Sequence, residues 1–195
     1  MRDTRAELLL QAETLVRSRG YSGFSYGDLA AVVGLRKASI HHHFPTKADL
    51  ALALVAAYDS RYDAALDAIL AQANAVARIE AYGRLYLGGV ADDLGCLCAV
   101  LAVERDTLPE PLRAAIVRFF DKHIAWLERV LADGLADGTV RADVVPAAAA
   151  RLVVATLEGA LLLERVLAGT TGFRETLGAL CDALRPPRAG LVVTT

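Results

Sequence analysis

Two helix-length segments near the start of the chain are too short to stand alone, and this constrains the fold more than any other feature. Tyr26–Val33 and residues 36–42 are separated by one tight turn at Gly34, and Pro45 stops the second. Helices this short are marginal in water, so they form only when braced by a longer neighbour. Such neighbours flank them on both sides. Thr4-Arg5-Ala6-Glu7 reads as a capping box, after which Ala6, Leu9, Leu10, Ala12, Leu15 and Val16 recur at helical spacing until Gly20. Thr46-Lys47-Ala48-Asp49 opens a long helix predicted over 47–73, and Ser25-Tyr26-Gly27-Asp28 caps the first short helix.

Two short helices joined by a turn and braced by a longer one form a helix-turn-helix pattern. The B-DNA major groove admits one helix, so the second short helix can present side chains to base edges. Arg36, Lys37, Ser39, His41 and His42 would be those side chains, with Ser25 and Lys47 at helix starts that suit phosphate. Charge agrees, weakly. Residues 1–50 carry seven Lys/Arg against five acids, or +2, with His41, His42 and His43 in reserve, while the remainder carries −4.

The run Gly34-Leu35-Arg36-Lys37-Ala38-Ser39-Ile40-His41-His42-His43-Phe44-Pro45-Thr46-Lys47-Ala48-Asp49-Leu50 resembles the DNA-binding signature of the TetR family of bacterial repressors. Lys37, Ser39, His42, Phe44 and Lys47 match it position by position. Arg36 replaces a usual capping Ser, and His41 and His43 replace usual aromatics. The resemblance covers about residues 4–55. It implies an all-α chain, with a three-helix DNA-binding head over 1–50 and a helical ligand-binding and dimerisation body over 51–187. Residues 188–195 read as a flexible tail.

The body's helices are predicted over 74–89 (capped by Asn74), 96–105, 110–135, 147–167 and 173–184. The resemblance implies that the last two pair with their copies in a second subunit, through Val154, Glu158, Leu161, Leu162, Phe173, Leu177 and Leu180. The residues support this on their own account. Arg151, Glu158 and Arg165 recur every seven positions as one narrow polar stripe, leaving an otherwise apolar helix with more than one face to bury. Mean hydropathy is +0.38, and 55% of the 195 residues are hydrophobic. A membrane span fails on Arg151, Glu158, Glu164 and Arg165, which leaves subunit contact. The N-terminus shows no signal sequence. The three cysteines do not suggest a disulfide framework, so a cytoplasmic protein is expected.

His123 breaks the apolar stripe of Ile116, Phe120, Leu127 and Val130, with Phe119 and Trp126 beside it. An ordinary core explains the stripe. The buried imidazole needs either a ligand or a hydrogen bond from another helix. Tyr82 and Tyr86, at i and i+4, are its partners in a predicted apolar effector pocket. Gly95-Cys96-Leu97 is similar to a segment of electrophile-sensing members, so a thiol-sensing repressor using Cys96 is the alternative. A small buried cysteine is the plainer reading. Adjacent His41, His42 and His43 point about 100° apart and call for no metal. Glu104 and Arg105 read as a surface or inter-helix ion pair. No phosphate loop, zincin motif or nucleophile elbow suggests an enzyme, and nothing calls for a cofactor. A small-molecule-binding helical protein or enzyme without DNA function is the remaining class. The expected partners are a palindromic double-stranded operator, a small-molecule effector and a second copy of the chain.

Overall fold

The computed structural model describes residues 3–167 and 169–187. The tail expected over 188–195 lies outside them. Among the described residues the regular structure is helical: α1 (Thr4–Arg19), α2 (Tyr26–Val33), α3 (Lys37–His43), α4 (Lys47–Ile69), α5 (Ala75–Arg84), α6 (Leu87–Ala91), α7 (Leu97–Val103), α8 (Glu110–Ala136), α9 (Pro146–Leu167) and α10 (Thr171–Leu184).

The caps explain most of these boundaries. Ser25 and Thr46 each close a full capping box, with Asp28 and Asp49 respectively, and Asn74 accepts the Ala77 N–H. Gly34 ends α2 in the left-handed region at φ 72° and ψ 28°, where a Cβ would be strained. The α1 cap is Asp3, one residue before the expected Thr4. Its carboxylate takes the Arg5 and Ala6 amides, a role that Asp fills as well as Ser or Thr. The long linking helix stops at Ile69 rather than 73.

The helix expected over 74–89 is broken in two. Leu85 and Tyr86 separate α5 from α6, and the reason is tertiary. The loop after α6 folds back so tightly that a Cβ on Gly89 would lie 2.8 Å from the Leu94 carbonyl and 3.0 Å from Arg17 Nη2.

The head packs α1, α2 and α3 around Leu8, Ala12, Val16, Leu29, Ile40, Phe44 and Leu50. In the body α8 lies against α4, α5 and α9, and α10 packs on α5 and α9. By length and composition alone α9 is apolar enough to cross a membrane. Here one side of it, including Ala150, Val153, Leu157 and Ala160, is body core. Its other side leaves Leu152, Leu162, Leu163 and Val166 each at least 60% exposed.

Candidate nucleic-acid interface and buried chamber

Ile40 is fully buried and anchors α3, so the helix turns Lys37, Ala38, His41 and His42 outward with Arg36 just before it. Ser39 is half-buried. Arg36 makes no side-chain cap. Lys37 crosses α2 closely, and a Cβ on Gly27 would sit 3.1 Å from its Cε. His41 is oriented by its Nδ1 at 3.1 Å from the Pro45 carbonyl and by the Tyr26 ring at 4.7 Å. The Ser25 hydroxyl is engaged in its cap, donating to Asp28 and accepting the Gly27 and Asp28 amides.

Lys47 departs from expectation. Its ammonium donates to the Phe24 carbonyl at 2.5 Å and lies over the Tyr21 and Phe24 rings at 4.7 and 4.4 Å. The first turn of α4 is clasped against the α1–α2 connection, which draws the lysine inward. In this arrangement it clamps the head from within. Lys47→Ala is therefore expected to destabilise the head by about 1–2 kcal/mol, read as a lower thermal midpoint. A change confined to the salt slope of DNA binding, with stability intact, would contradict this.

In the body α4, α5, α7, α8 and α9 bring polar and aromatic side chains together in a buried cluster, the proposed effector chamber. Tyr82 Oη lies 2.9 Å from His123 Nδ1 and 3.4 Å from Tyr86 Oη, and Tyr86 donates to Glu158 Oε1 at 3.3 Å. The Cys96 thiol lies beside the same carboxyl. Rings close the walls: Phe119 at 4.1 Å and Tyr62 at 5.1 Å from His123, and Trp126 stacked on Tyr82 at 5.8 Å. Tyr58 and Tyr62 pair at 3.3 Å through their hydroxyls. His123 Nε2 and Trp126 Nε1 are buried without a partner among the described residues.

Burial dominates the electrostatics. It pushes the Glu158 carboxyl up to about 7, against hydrogen bonds from Cys96 and Tyr86 that act the other way. It draws His123 down to about 4, with the Lys122 charge adding to the effect. Burial, then the Glu158 charge, raises the Cys96 thiol far above its ordinary value. A nucleophilic sensor needs the thiolate, and this setting suppresses it.

Tyr82, Tyr86, Cys96, Phe119, His123 and Trp126 thus come together as the sequence suggested, but two corrections apply. The chamber is lined with hydroxyls, an imidazole and a carboxyl, not simply apolar. Phe120 points away from it, into an outer hollow of about 280 Å³ with Leu108, Ile116 and Ile124, rimmed by Arg105 and Arg151. Sequence reading missed Tyr58 and Tyr62, although their i, i+4 spacing repeats that of Tyr82 and Tyr86. Glu158, assigned to a subunit contact, accepts from Tyr86 and also lines an outer hollow with Gly159 and Leu162. A cleft of about 320 Å³ lined by Glu13, Arg17, Arg61, Leu85, Gly88 and Asp92 ends on Tyr58 and Tyr62.

The assigned dimer residues divide. Val154, Leu161, Phe173, Leu177 and Leu180 are buried within one protomer, with Leu161 and Leu177 also lining outer hollows. α9 is apolar on two sides, and periodicity alone did not say which side faces α8 and α10. Leu162 does face outward. Among the described residues Glu104 pairs with no neighbouring arginine. It reaches back to the head and accepts the Ser22 N–H at 2.9 Å.

A helix-turn-helix head with an exposed basic recognition helix, set on a helical body with a buried polar cluster, is the architecture of a DNA-binding transcription regulator. Comparison with known proteins agrees. Residues 8–54 match the profile of bacterial regulatory proteins of the tetR family, and residues 75–180 match the Tetracyclin repressor-like C-terminal domain. The chain belongs to the TetR family, whose members are transcriptional regulators rather than enzymes. A TetR-family regulator from Agrobacterium tumefaciens is 33% identical, with 93% of this chain and 97% of that one covered and a TM-score of 0.88. The transcriptional regulator AcuR of Cereibacter sphaeroides is 30% identical over 153 residues, 76% of this chain and 70% of its own. The reduced form of E. coli NemR is 26% identical, with coverage of 95% and 100% and a TM-score of 0.81.

Proposed function

We propose that the chain is a homodimeric repressor, acting in the cytoplasm, that leaves a palindromic operator when a small molecule enters the Tyr82–His123–Glu158 chamber. The observation that carries the effector reading is the buried polar cluster of Tyr82, Tyr86, His123 and Glu158. A structural core has no need of a chain of buried hydroxyls, an imidazole and a carboxyl, with two further polar nitrogens left unpartnered at a cost of about 1–3 kcal/mol each. Its chemistry suits a small ring compound that also carries a hydroxyl or carbonyl group: the rings stack it, and Trp126 Nε1 and His123 Nε2 offer hydrogen bonds. The cleft at Tyr58 and Tyr62 supplies the way in. Those tyrosines lie on α4, which runs from head to body, so a ligand displacing them would tilt α4 and change the spacing of the two heads. It acts only insofar as it binds the released state better.

Trp126 is the chain's only tryptophan, so its emission reports on the chamber. Titration with a panel of small phenols and aromatic carbonyl compounds is expected to change that emission for at least one of them and to release bound DNA at the same concentration. Tyr82→Phe should weaken both responses together. Compounds that release DNA without touching Trp126 emission would place the effector elsewhere.

Ser25, Arg36, Lys37, Ser39, His41 and His42 form the proposed DNA surface. Lys37→Ala is expected to weaken binding about evenly across sequences and to reduce the salt slope by about one unit. An unchanged slope would remove Lys37 from the interface.

A further inference from the structure

The helix α4 is not the only connection between body and head. α7 runs from the chamber to the α1–α2 turn, and both of its ends are tied. At its start Gly95 exchanges hydrogen bonds with α1, the Arg17 Nε donating to the Gly95 carbonyl at 2.7 Å and the Gly95 amide to the Arg17 carbonyl at 3.3 Å. Next to it Cys96 lies beside Glu158, the two lining one hollow. At its end stands Glu104. One carboxylate oxygen accepts the Ser22 amide across 82 residues of sequence, and the group also faces the Tyr21 amide and the Lys47 ammonium. The other oxygen occupies the space of a missing side chain: a Cβ on Gly20, itself at φ +83°, would lie 2.2 Å from Glu104 Oε1. Between the two ends Leu97, Cys98 and Leu101 are buried in the body, so α7 has little freedom to move independently of it.

We propose that Glu104 is a positioning residue for DNA binding: a latch, projecting from the body, that fixes the angle of the head by holding the Gly20–Ser22 turn. The turn leads directly into α2, and α2 carries α3 through the close Gly27–Lys37 crossing. The latched turn thus sets where the recognition helix points. Because α7 also touches the chamber through Cys96, displacement there reaches the head by a second route besides α4.

Hydrogen exchange on the full chain tests the latch without any effector, and affinity for a duplex selected from a random library adds a functional arm. In Glu104→Ala the Ser22 amide should exchange at least tenfold faster and affinity should fall about five- to twentyfold, with the thermal midpoint of the body and the dimer unchanged. Glu104→Gln keeps an acceptor oxygen and should recover most of the protection and the affinity, which a bulk loss of packing would not allow. Unchanged Ser22 exchange and unchanged affinity in Glu104→Ala would overturn the proposal, and so would equal loss in the Gln and Ala variants. A wild-type chain that selects no duplex would refute the DNA-binding reading itself. A latch that does not matter would leave wild type and Glu104→Ala binding alike.

Discussion

A chain carrying Leu162→Glu and Leu163→Glu is expected to fold but to sediment as a monomer, and to bind its operator about 100-fold or more weakly. The outward side of α9 is the reason. Leu152, Leu162, Leu163 and Val166 are exposed along one helix, and a Cβ on Gly159 among them would meet nothing within 4 Å inside the protomer. Exposed apolar surface of this extent marks an interface. A second copy is the occupant proposed here, as in the four-helix pairing that the family resemblance implies. Joining two heads makes the second half-site contact intramolecular, and losing that linkage removes an effective-concentration gain of about 10²–10⁴. Leu180→Asp should behave differently. That side chain is buried within one protomer, so the charge should unfold the body rather than split the dimer. A Leu162→Glu/Leu163→Glu chain that remains dimeric at micromolar concentration would place the interface elsewhere.

The second large effect is a pair of opposite pH responses in stability. The folded chain raises Glu158 to about 7 from an ordinary value near 4.5, by burial. Between those values the folded state keeps a proton that the unfolded state has released. This contribution is therefore full at low pH and is lost as pH rises through 7. His123 is lowered to about 4 from about 6.5, again by burial. The unfolded state takes the proton first, so its contribution is lost as pH falls from 6.5 through 4. Between pH 8 and pH 6, Glu158 should add about 1 kcal/mol and His123 should remove about 1 kcal/mol. Relative to wild type, Glu158→Gln should thus lose stability on acidification over that range, and His123→Gln should gain it. Each change should move the thermal midpoint by about 2–4 °C. Variants that both follow the wild-type pH profile would show that neither group titrates as its burial demands.

What the sequence disclosed was what local chemistry decides. The boxes at Ser25 and Thr46, the left-handed Gly34 and the Asn74 cap lie within a few residues of the helices they bound, so their patterns read directly. The tyrosine pair facing His123 was also legible, because i, i+4 spacing puts two hydroxyls on one side of a helix. Long-range choices were not legible. Whether Glu158 points into the chamber or toward a partner depends on where α7 places Cys96. The heptad of Arg151, Glu158 and Arg165 read as one narrow polar stripe, but the pattern did not say that Glu158 accepts from Tyr86 or that Arg165 is half-buried beside Asp93. Lys47 looked free because nothing nearby in sequence announces the Phe24 carbonyl, 23 residues earlier. The α5–α6 break depends on the return of the 92–95 loop onto α1, which no local pattern encodes.

The most direct test of the whole account is selection of duplexes from a random DNA library by the full-length protein, followed by binding of the winner with and without the compound that changes Trp126 emission. The account predicts an inverted repeat whose half-sites place two recognition helices about 34–36 Å apart, bound by a dimer and released by that compound. Enrichment of no sequence, or of a single half-site bound by a monomer and indifferent to every compound that reaches the chamber, would contradict it.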